Sequence, residues 1–196
     1  GARKHGERKV GAYPENPVFF CKWPGSHNGP EGEIVHHGFT QELDYECELV
    51  IVIGKQGVNI SKERAMDHVY GYTIMNDVSA RDIQRRHGQW FKGKGLDSFG
   101  PIGPWIVTRD AVGDGNKLTV QTRVNGQTRQ NSNTDDMIFD IATIISVLSE
   151  GFTLYPGDLI ATGTPEGVGF AMDPPGVLKA GDLVECEIEN IGVLRN

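Results

Sequence analysis

The sequence predicts an α+β fold that is mainly β, formed by one domain over residues 1–196. Its length is sufficient for one domain with a sizeable hydrophobic core. Its 26 glycines and 10 prolines predict many turns, which favours a strand-rich fold over a helical bundle. Strand-like segments also outnumber helical ones, and they do not alternate with them regularly as they do in α/β folds.

The first half of the chain combines short strand patterns with two helix patterns. Strands are predicted over 17–23, 33–37, 43–54 and 69–77. Helices are predicted over 61–69, with Ser61 as N-cap, and over 79–86, beginning at Ser79. Residues 1–16 are polar and irregular, whereas 88–104 are rich in glycine and proline and predict a functional loop.

The second half contains the clearest hairpin and the strongest helix pattern. A strand over 105–108 precedes a hairpin over 118–131, in which Asn125-Gly126 predicts a type I′ turn. A helix is predicted over 134–150, capped by Thr134 and followed by Gly151. Its apolar stripe consists of Met137, Ile138, Ile141, Ile144, Ile145 and Leu148. After it come the segment 158–163, a proline-glycine loop and a strand over 183–191.

Charge and cysteine content exclude several classes of protein. The formal net charge is −7 and Lys and Arg form no run, so we expect neither a nucleic-acid partner nor an anionic membrane. No apolar run approaches the ~20 residues of a membrane helix. Three cysteines without CxxC spacing indicate neither a zinc site nor a disulfide framework, and predict a reducing, cytoplasmic location. A mitochondrial location stays open because the chain starts abruptly at Gly1.

Two glutamates occupy an unusual place in the strand over 43–54. Glu46 and Glu48 are two residues apart, which puts them on one face at roughly 7 Å. Both faces become apolar toward Gly54, which predicts burial on both sides. Buried carboxylates must share a proton or bind a cation, unless this end of the strand lies in water. The segment 184–189 also has glutamates two apart, but its clean alternation predicts an ordinary surface strand.

A third carboxylate follows the strand over 69–77. Asp77 stands where that apolar strand gives way to a helix, so helix capping is the competing interpretation. Together with Glu46 and Glu48 it forms a set of hard oxygen ligands. Such a set favours Mg²⁺, Mn²⁺ or Ca²⁺ over zinc.

Four segments resemble the fumarylacetoacetate hydrolase family, in particular its short, single-domain branch. They are "DYECELVIVIGK", "GYTIMNDVSARDIQ", "QWFKGKGLDSFGPIGP" and "IATGTPEGVG", in the order and spacing of that family. The resemblance covers the chain from about Pro14 to its end. It implies the mixed β-roll of the family's C-terminal domain, with few helices. It also implies that Glu46, Glu48 and Asp77 hold a divalent cation, usually Mg²⁺ or Mn²⁺.

The same resemblance implies roles for other residues. Lys94 matches a lysine near metal and substrate, within KGLD where the family commonly has KSFD. Gln84 and Thr164 match residues that contact substrate, and Arg81 lies inside the same signature. The family's general base is a histidine in a YxxHxxE segment that closes over substrate. Here His5 and Glu7 are two residues apart instead of three, in an irregular lid segment over 1–13 that is incomplete relative to the family pattern, because the tyrosine is absent.

The resemblance implies a hydrolase that cleaves a carbon–carbon bond in an acylpyruvate-type diketo acid. The metal would hold the enolate, while His5 and Glu7 would activate water. Some relatives instead isomerise 2-hydroxy-diene-dioates or decarboxylate 2-oxo acids in aromatic catabolism, which requires the metal but no attacking water. A third interpretation is a non-catalytic domain in which Ca²⁺ only stabilises the fold. The family also implies a small keto-acid substrate and a homodimer.

Overall fold

A computed structural model describes residues 14–196, so His5, Glu7 and the predicted lid segment lie outside the described residues. The strands are β1 (His27–Asn28), β2 (Leu43–Asp44), β3 (Cys47–Ile53), β4 (Val69–Asn76), β5 (Ser79–Ala80), β6 (Gly100–Thr108), β7 (Thr119–Val124), β8 (Gln127–Asn133), β9 (Leu159–Ala161), β10 (Val184–Ile188) and β11 (Gly192–Arg195). The α-helices are α1 (Arg81–His87), α2 (Phe91–Lys94), α3 (Arg109–Val112) and α4 (Ile141–Leu148). Short 3-10 helices cover Pro24–Ser26, Lys62–His68, Thr134–Asp136 and Gly169–Ala171.

Two larger sheets share one hydrophobic core. The five-stranded sheet has the order β1-β6-β4-β3-β9, and the four-stranded sheet has the order β11-β10-β7-β8. Strands β2 and β5 form a separate pair. Only β1 and β6 pair in parallel among the described strands. Buried side chains of both sheets and of α4 join the core, among them Ile51, Tyr72, Val120, Ile145 and Ile188. The predicted mainly-β α+β fold is confirmed.

The longest predicted strand is interrupted near its beginning. All seven residues of β3 are buried between β4 and β9, as the apolar pattern on both faces predicted. However, β2 pairs with β5 and not with β4. The backbone N–H of Glu46 donates to the side-chain oxygen of Asn76 at the end of β4 (3.0 Å), and not to a backbone carbonyl of a neighbouring strand. The chain therefore changes sheet between Asp44 and Cys47.

Two predicted strands near the N-terminus are absent. Residues 17–23 and 33–37 have strand-like composition but join no ladder among the described strands. Side-chain contacts fix them instead, since Val35 N–H donates to Ser98 Oγ (2.8 Å) and Phe20 packs edge-on against Trp90. Local pattern cannot distinguish a strand from an extended segment held in this way.

The predicted helices are shorter than their sequence patterns. The helix expected over 61–69 is the 3-10 helix Lys62–His68, and Ser61 forms no side-chain cap. The helix expected from Ser79 begins at Arg81, because Ser79 and Ala80 pair with β2.

The helix expected over 134–150 divides into a 3-10 turn and α4. Thr134 is no cap, because its hydroxyl donates to Gly115 O and accepts from Leu118 N–H. Asp140 caps α4 by accepting from Thr143 N–H (2.8 Å). The apolar stripe is correct where α4 buries Ile141, Ile144 and Ile145.

The hairpin and the surface strand agree with prediction. Asn125 and Gly126 have φ of 51° and 76° between β7 and β8, as a type I′ turn requires. β10 buries Val184, Cys186 and Ile188 and turns its glutamates outward.

The sequence analysis missed several elements, including β1, α2, α3 and β11, and it began β6 too late. β6 begins at Gly100 within the predicted loop, because Ile102 and Gly103 pair with β4. Helix α2 also lies within that loop, and β11 follows β10. Among residues 14–196, no helix is long and apolar enough to cross a membrane.

Candidate active site

The β3–β4 pairing brings three carboxylates together. Glu46 immediately precedes β3, Glu48 lies on it, and Asp77 immediately follows β4. Because Cys47 pairs with Asn76, the beginning of β3 lies beside the end of β4. One oxygen of each carboxylate lies within 4.8 Å of the others, and the exposed fractions of the three residues are 9%, 5% and 2%. Asp77 thus joins two glutamates that precede it by 29 and 31 positions, and the three residues form one buried acidic cluster.

Lys94 inserts its ammonium group into this cluster from the end of α2. Its Nζ donates to Glu46 Oε2 (2.9 Å), Asp77 Oδ2 (2.7 Å) and Ser79 Oγ (2.7 Å). Burial alone would lower the pKa of Lys94, but the carboxylates of Asp77 and Glu46 outweigh burial and raise it. Lys94 is therefore a buried cation at neutral pH.

A glycine allows α2 to approach α1 closely enough to place Lys94. A Cβ on Gly93 would lie 2.7 Å from the Cα and Cβ of Gln84 on α1. Since backbone atoms cannot yield as a flexible side chain does, only glycine fits at this contact without a shift.

Arg81 and Gln84 lie beside the carboxylates on the first turn of α1. The Arg81 guanidinium donates to Glu46 Oε1 (2.5 Å) and to Asp44 Oδ2 (2.9 Å). Its third nitrogen donates to Gln84 Oε1 (3.3 Å), and Phe170 lies under it at 4.4 Å. Arg81 thus orients Glu46, while Gln84 is half-buried at the edge of the site.

Asp44 is a site residue that the sequence analysis missed. It is fully buried and accepts hydrogen bonds from the N–H groups of Gly169 (2.7 Å) and Phe170 (3.2 Å) as well as from Arg81. Burial raises the pKa of Asp44, although Arg81 opposes the shift. A signal was available, because Asp44 precedes Glu46 by two residues on a predicted buried strand.

Lys22 is a second residue that the sequence analysis missed. Its ammonium group forms an ion pair with Asp77 and donates to Val78 O (3.2 Å), while 11% of its side chain is exposed. Burial lowers the pKa of Lys22, with Asp77 opposing. No local pattern marks Lys22, because its partner is 55 positions away.

The segment after β9, which contains Thr164, lies against β3. Gly163 N–H donates to Glu48 Oε2 (2.8 Å), and Thr162 N–H donates to Leu49 O (3.0 Å). Thr164 is 5% exposed. The TGTP sequence thus forms one wall beside Glu48.

The charge balance of the cluster favours an added cation. Four buried carboxylates face three cations, and within residues 14–196 Glu48 forms no ion pair. Burial, together with the charges of Asp77 and Glu46, raises the pKa of Glu48. For Glu46, Lys94 and Arg81 outweigh burial and lower the pKa. Three convergent hard oxygen donors with one unneutralised member suit a divalent cation such as Mg²⁺ or Mn²⁺.

Comparisons with known proteins agree with this geometry. The family model described as fumarylacetoacetate (FAA) hydrolase C-terminal matches residues 2–196. Oxaloacetate tautomerase YisK of Bacillus subtilis is 51% identical over 185 residues, which are 93% of this chain and 61% of that protein. Oxaloacetate tautomerase FAHD2B, mitochondrial, of Homo sapiens is 49% identical over 93% of this chain and 59% of that protein. The chain thus spans about three fifths of these relatives' length.

Solved structures show the same fold. A fumarylacetoacetate hydrolase from Exiguobacterium antarcticum has a TM-score of 0.89 and 51% identity, over 91% of this chain and 65% of that one. A 2-hydroxyhepta-2,4-diene-1,7-dioate isomerase from Mycobacterium marinum has a TM-score of 0.86 and 44% identity, over 93% of this chain and 69% of that one. The chain belongs to the fumarylacetoacetate hydrolase family.

Proposed function

We propose that this chain is the catalytic domain of a divalent-metal-dependent isomerase that interconverts the keto and enol forms of a 2-oxo dicarboxylate. Oxaloacetate is the first candidate substrate. The observation that carries the proposal is the convergence of Lys94 with the carboxylates of Glu46, Glu48 and Asp77. The names of the relatives at 51% and 49% identity support a tautomerase. They favour the isomerase alternative over the hydrolase that the resemblance first implied.

Tautomerisation requires less of the site than hydrolysis. A proton leaves the carbon next to the ketone, and the ketone oxygen gains a proton. No carbon–carbon bond breaks and no water is consumed, so no base is needed to activate water. His5 and Glu7 are therefore not required to activate water, although the step still requires a base that accepts the proton from carbon.

Glu46, Glu48 and Asp77 would hold the cation. When bound, a divalent cation supplies Lewis-acid stabilisation of the negative charge that an enolate carries. Lys94 keeps Glu46 and Asp77 in place through its hydrogen bonds and adds a buried positive charge beside them. The Thr164 hydroxyl and the Gln84 amide would bind substrate oxygens, and Arg81 would orient Glu46 while facing an anionic substrate.

The test is a substrate panel with the full-length natural protein, loaded with Mg²⁺ or Mn²⁺ and compared with the same protein in EDTA. Enol absorbance of oxaloacetate reports tautomerisation, and a lactate dehydrogenase couple reports pyruvate. Faster enol loss without pyruvate supports the tautomerase. Pyruvate from an acylpyruvate would instead support the hydrolase, and pyruvate from oxaloacetate the decarboxylase. Inactivity of the metal-loaded protein toward all substrates, including 2-hydroxy-diene-dioates, would refute an enzyme.

Assembly and compartment are also proposals. We expect a homodimer and a small keto-acid ligand, as the resemblance implies. We expect a cytoplasmic location, with mitochondria as the alternative because the human relative's name contains that compartment.

A further inference from the structure

Gln130 on β8 is a buried amide whose hydrogen-bonding capacity is fully used. It is completely inaccessible to solvent. Its Oε1 accepts from Thr122 Oγ1 (2.6 Å) and Cys47 N–H (3.2 Å). Its Nε2 donates to Thr164 Oγ1 (2.8 Å) and Pro165 O (3.0 Å). With two donors and two acceptors satisfied, the orientation of the amide is fixed.

At one end, the Gln130 side chain bonds to the edge of β3 between Glu46 and Glu48. β9 pairs with β3 only at Val50, Ile51 and Val52. Beyond that pairing, Cys47 N–H would lack a partner, and a buried unpaired N–H is costly. The Gln130 side chain takes the place of the missing strand. Cys47 lies between Glu46 and Glu48, so this bond holds the backbone that bears both carboxylates.

At its other end, Gln130 donates a hydrogen bond to the Thr164 hydroxyl. Among the hydrogen bonds of residues 14–196, Thr164 Oγ1 takes part in one, as acceptor from Gln130. A hydroxyl that accepts a hydrogen bond still has its own proton to donate. Donation by an amide also polarises the hydroxyl and strengthens it as a donor.

We propose that Gln130 is a positioning residue that fixes the Thr164 hydroxyl relative to Glu46 and Glu48 and directs its proton toward a substrate oxygen. The inference rests on the proposed function, because that function makes Thr164 a substrate contact. The competing explanation is that Gln130 only joins the two sheets, in which case its loss would affect stability alone.

The test compares Gln130→Met, Thr164→Val and the double variant. Met removes all four hydrogen bonds at similar volume. Binding of oxalate to Mn²⁺-loaded full-length protein is measured by calorimetry, Mn²⁺ affinity by electron paramagnetic resonance, and enol turnover by absorbance. We expect each single variant to weaken oxalate binding and raise KM about tenfold, the effect of one hydrogen bond to an anionic ligand. Mn²⁺ affinity should not change in Thr164→Val, whereas a decrease in Gln130→Met would measure the loss of the Cys47 bond. Oxalate is therefore titrated at saturating Mn²⁺ in every variant.

The double variant separates positioning from stability. If Gln130 acts through Thr164, the double variant should bind oxalate no more weakly than Thr164→Val alone. Ser149→Ala is the matched control, since Ser149 is equally buried and forms two side-chain hydrogen bonds outside the site. Additive losses, or a Gln130→Met variant that resembles Ser149→Ala in lowering only the melting temperature, would overturn the inference.

Three further outcomes concern the folding of Gln130→Met and the behaviour of the wild type. If Gln130→Met does not fold, Gln130→Glu retains an acceptor for Cys47 and Thr122, and its carboxylate draws the Thr164 proton away from the ligand. The same loss of oxalate binding is then expected, and normal binding overturns the inference. A wild type that binds Mn²⁺ and oxalate without enol turnover contradicts the proposed function only. A wild type that binds no oxalate overturns the role of Thr164 and of Gln130 together.

Discussion

Glutamates at the same spacing have opposite environments in two strands of this protein. Glu185 and Glu187 on β10 pair with Arg123, and Glu185 also pairs with Arg195 at the surface. Glu46 and Glu48 are buried and face Asp77. The ExE pattern therefore has no functional meaning by itself. Its meaning comes from the apolar residues that follow it and from carboxylates elsewhere in the chain.

Replacing Lys94 tests the centre of the proposed site. We expect Lys94→Met to reduce enol turnover by roughly 100-fold or more, because a buried positive charge beside the reacting group is lost. The fold should persist, as circular dichroism can verify. Lys179→Met is the control, since Lys179 is exposed and lies outside the site. A metal-loaded Lys94→Met enzyme with wild-type turnover would favour the purely structural interpretation of the cation.

Some residues of the site have a local signal in the sequence, and others have none. Glu46, Glu48 and Asp77 have strong local signals, because charged residues interrupt apolar strands. Lys22 and Gln130 have none, because the site residues that each contacts are more than 30 positions away. Asp44 lies between these cases, since its periodicity was visible but its partners Gly169 and Phe170 were not.

At the level of elements, the close contact of α1 and α2 determines where Lys94 lies. Gly93→Ala should force the helices apart and destabilise the protein by about 1–3 kcal/mol, as overpacking does in cores. Turnover should fall as Lys94 moves away from Glu46. Gly38→Ala is the control, since its Cβ would meet nothing within 4 Å. Denaturant unfolding measures both variants, and equal stability would show that the α1–α2 contact can relax.

The cap of α4 gives a second test at this scale. Asp140→Ala removes the acceptor for Thr143 N–H and should destabilise the protein by about 1 kcal/mol. Thr134→Val should also destabilise it, but by breaking the bonds to Gly115 and Leu118 and not by uncapping a helix. Helical ellipticity should therefore decrease more in Asp140→Ala. A larger decrease of ellipticity in Thr134→Val would instead support a helix that begins at Thr134, as the sequence predicted.

Elements with local signals were predictable, and those that depend on distant partners were not. β3 and the β7–β8 hairpin were predictable because apolar pattern and turn chemistry are local. The predicted strand is shorter than β6, because the first residues of β6 include glycine and proline. In the structure these residues pair with the distant strands β1 and β4. The segment over 17–23 shows the reverse case, in which strand composition found no partner strand among the described residues.

For the whole molecule, cation binding and stability should be linked. A ligand that binds only the folded state raises the unfolding free energy by RT ln(1 + [L]/Kd). Mg²⁺ or Mn²⁺ should therefore raise the melting temperature, and EDTA should reverse the increase. Glu48→Gln should abolish most of the shift, whereas Glu187→Gln on the surface should retain it. A melting temperature independent of both ions would contradict the predicted metal site.

Large apolar side chains on the surface support the predicted homodimer. Trp105, Ile106 and Tyr70 are exposed to 62%, 50% and 55%. They lie on the paired strands β4 and β6, and contiguous exposed apolar patches often mark an interface with another chain. Light scattering after gel filtration should give twice the mass of one chain, and a monomer at micromolar concentration would contradict the prediction.

The wide spacing of the cluster along the chain has a kinetic consequence. Lys94 meets Glu46 across 48 positions, and Gly163 meets Glu48 across 115. No local segment can form these contacts, so the site is complete only after α2 and the segment that follows β9 have packed against the paired strands β3 and β4. Interactions that form after the transition state mainly slow unfolding. A bound cation should thus lengthen the lifetime of the folded molecule while leaving its folding rate almost unchanged.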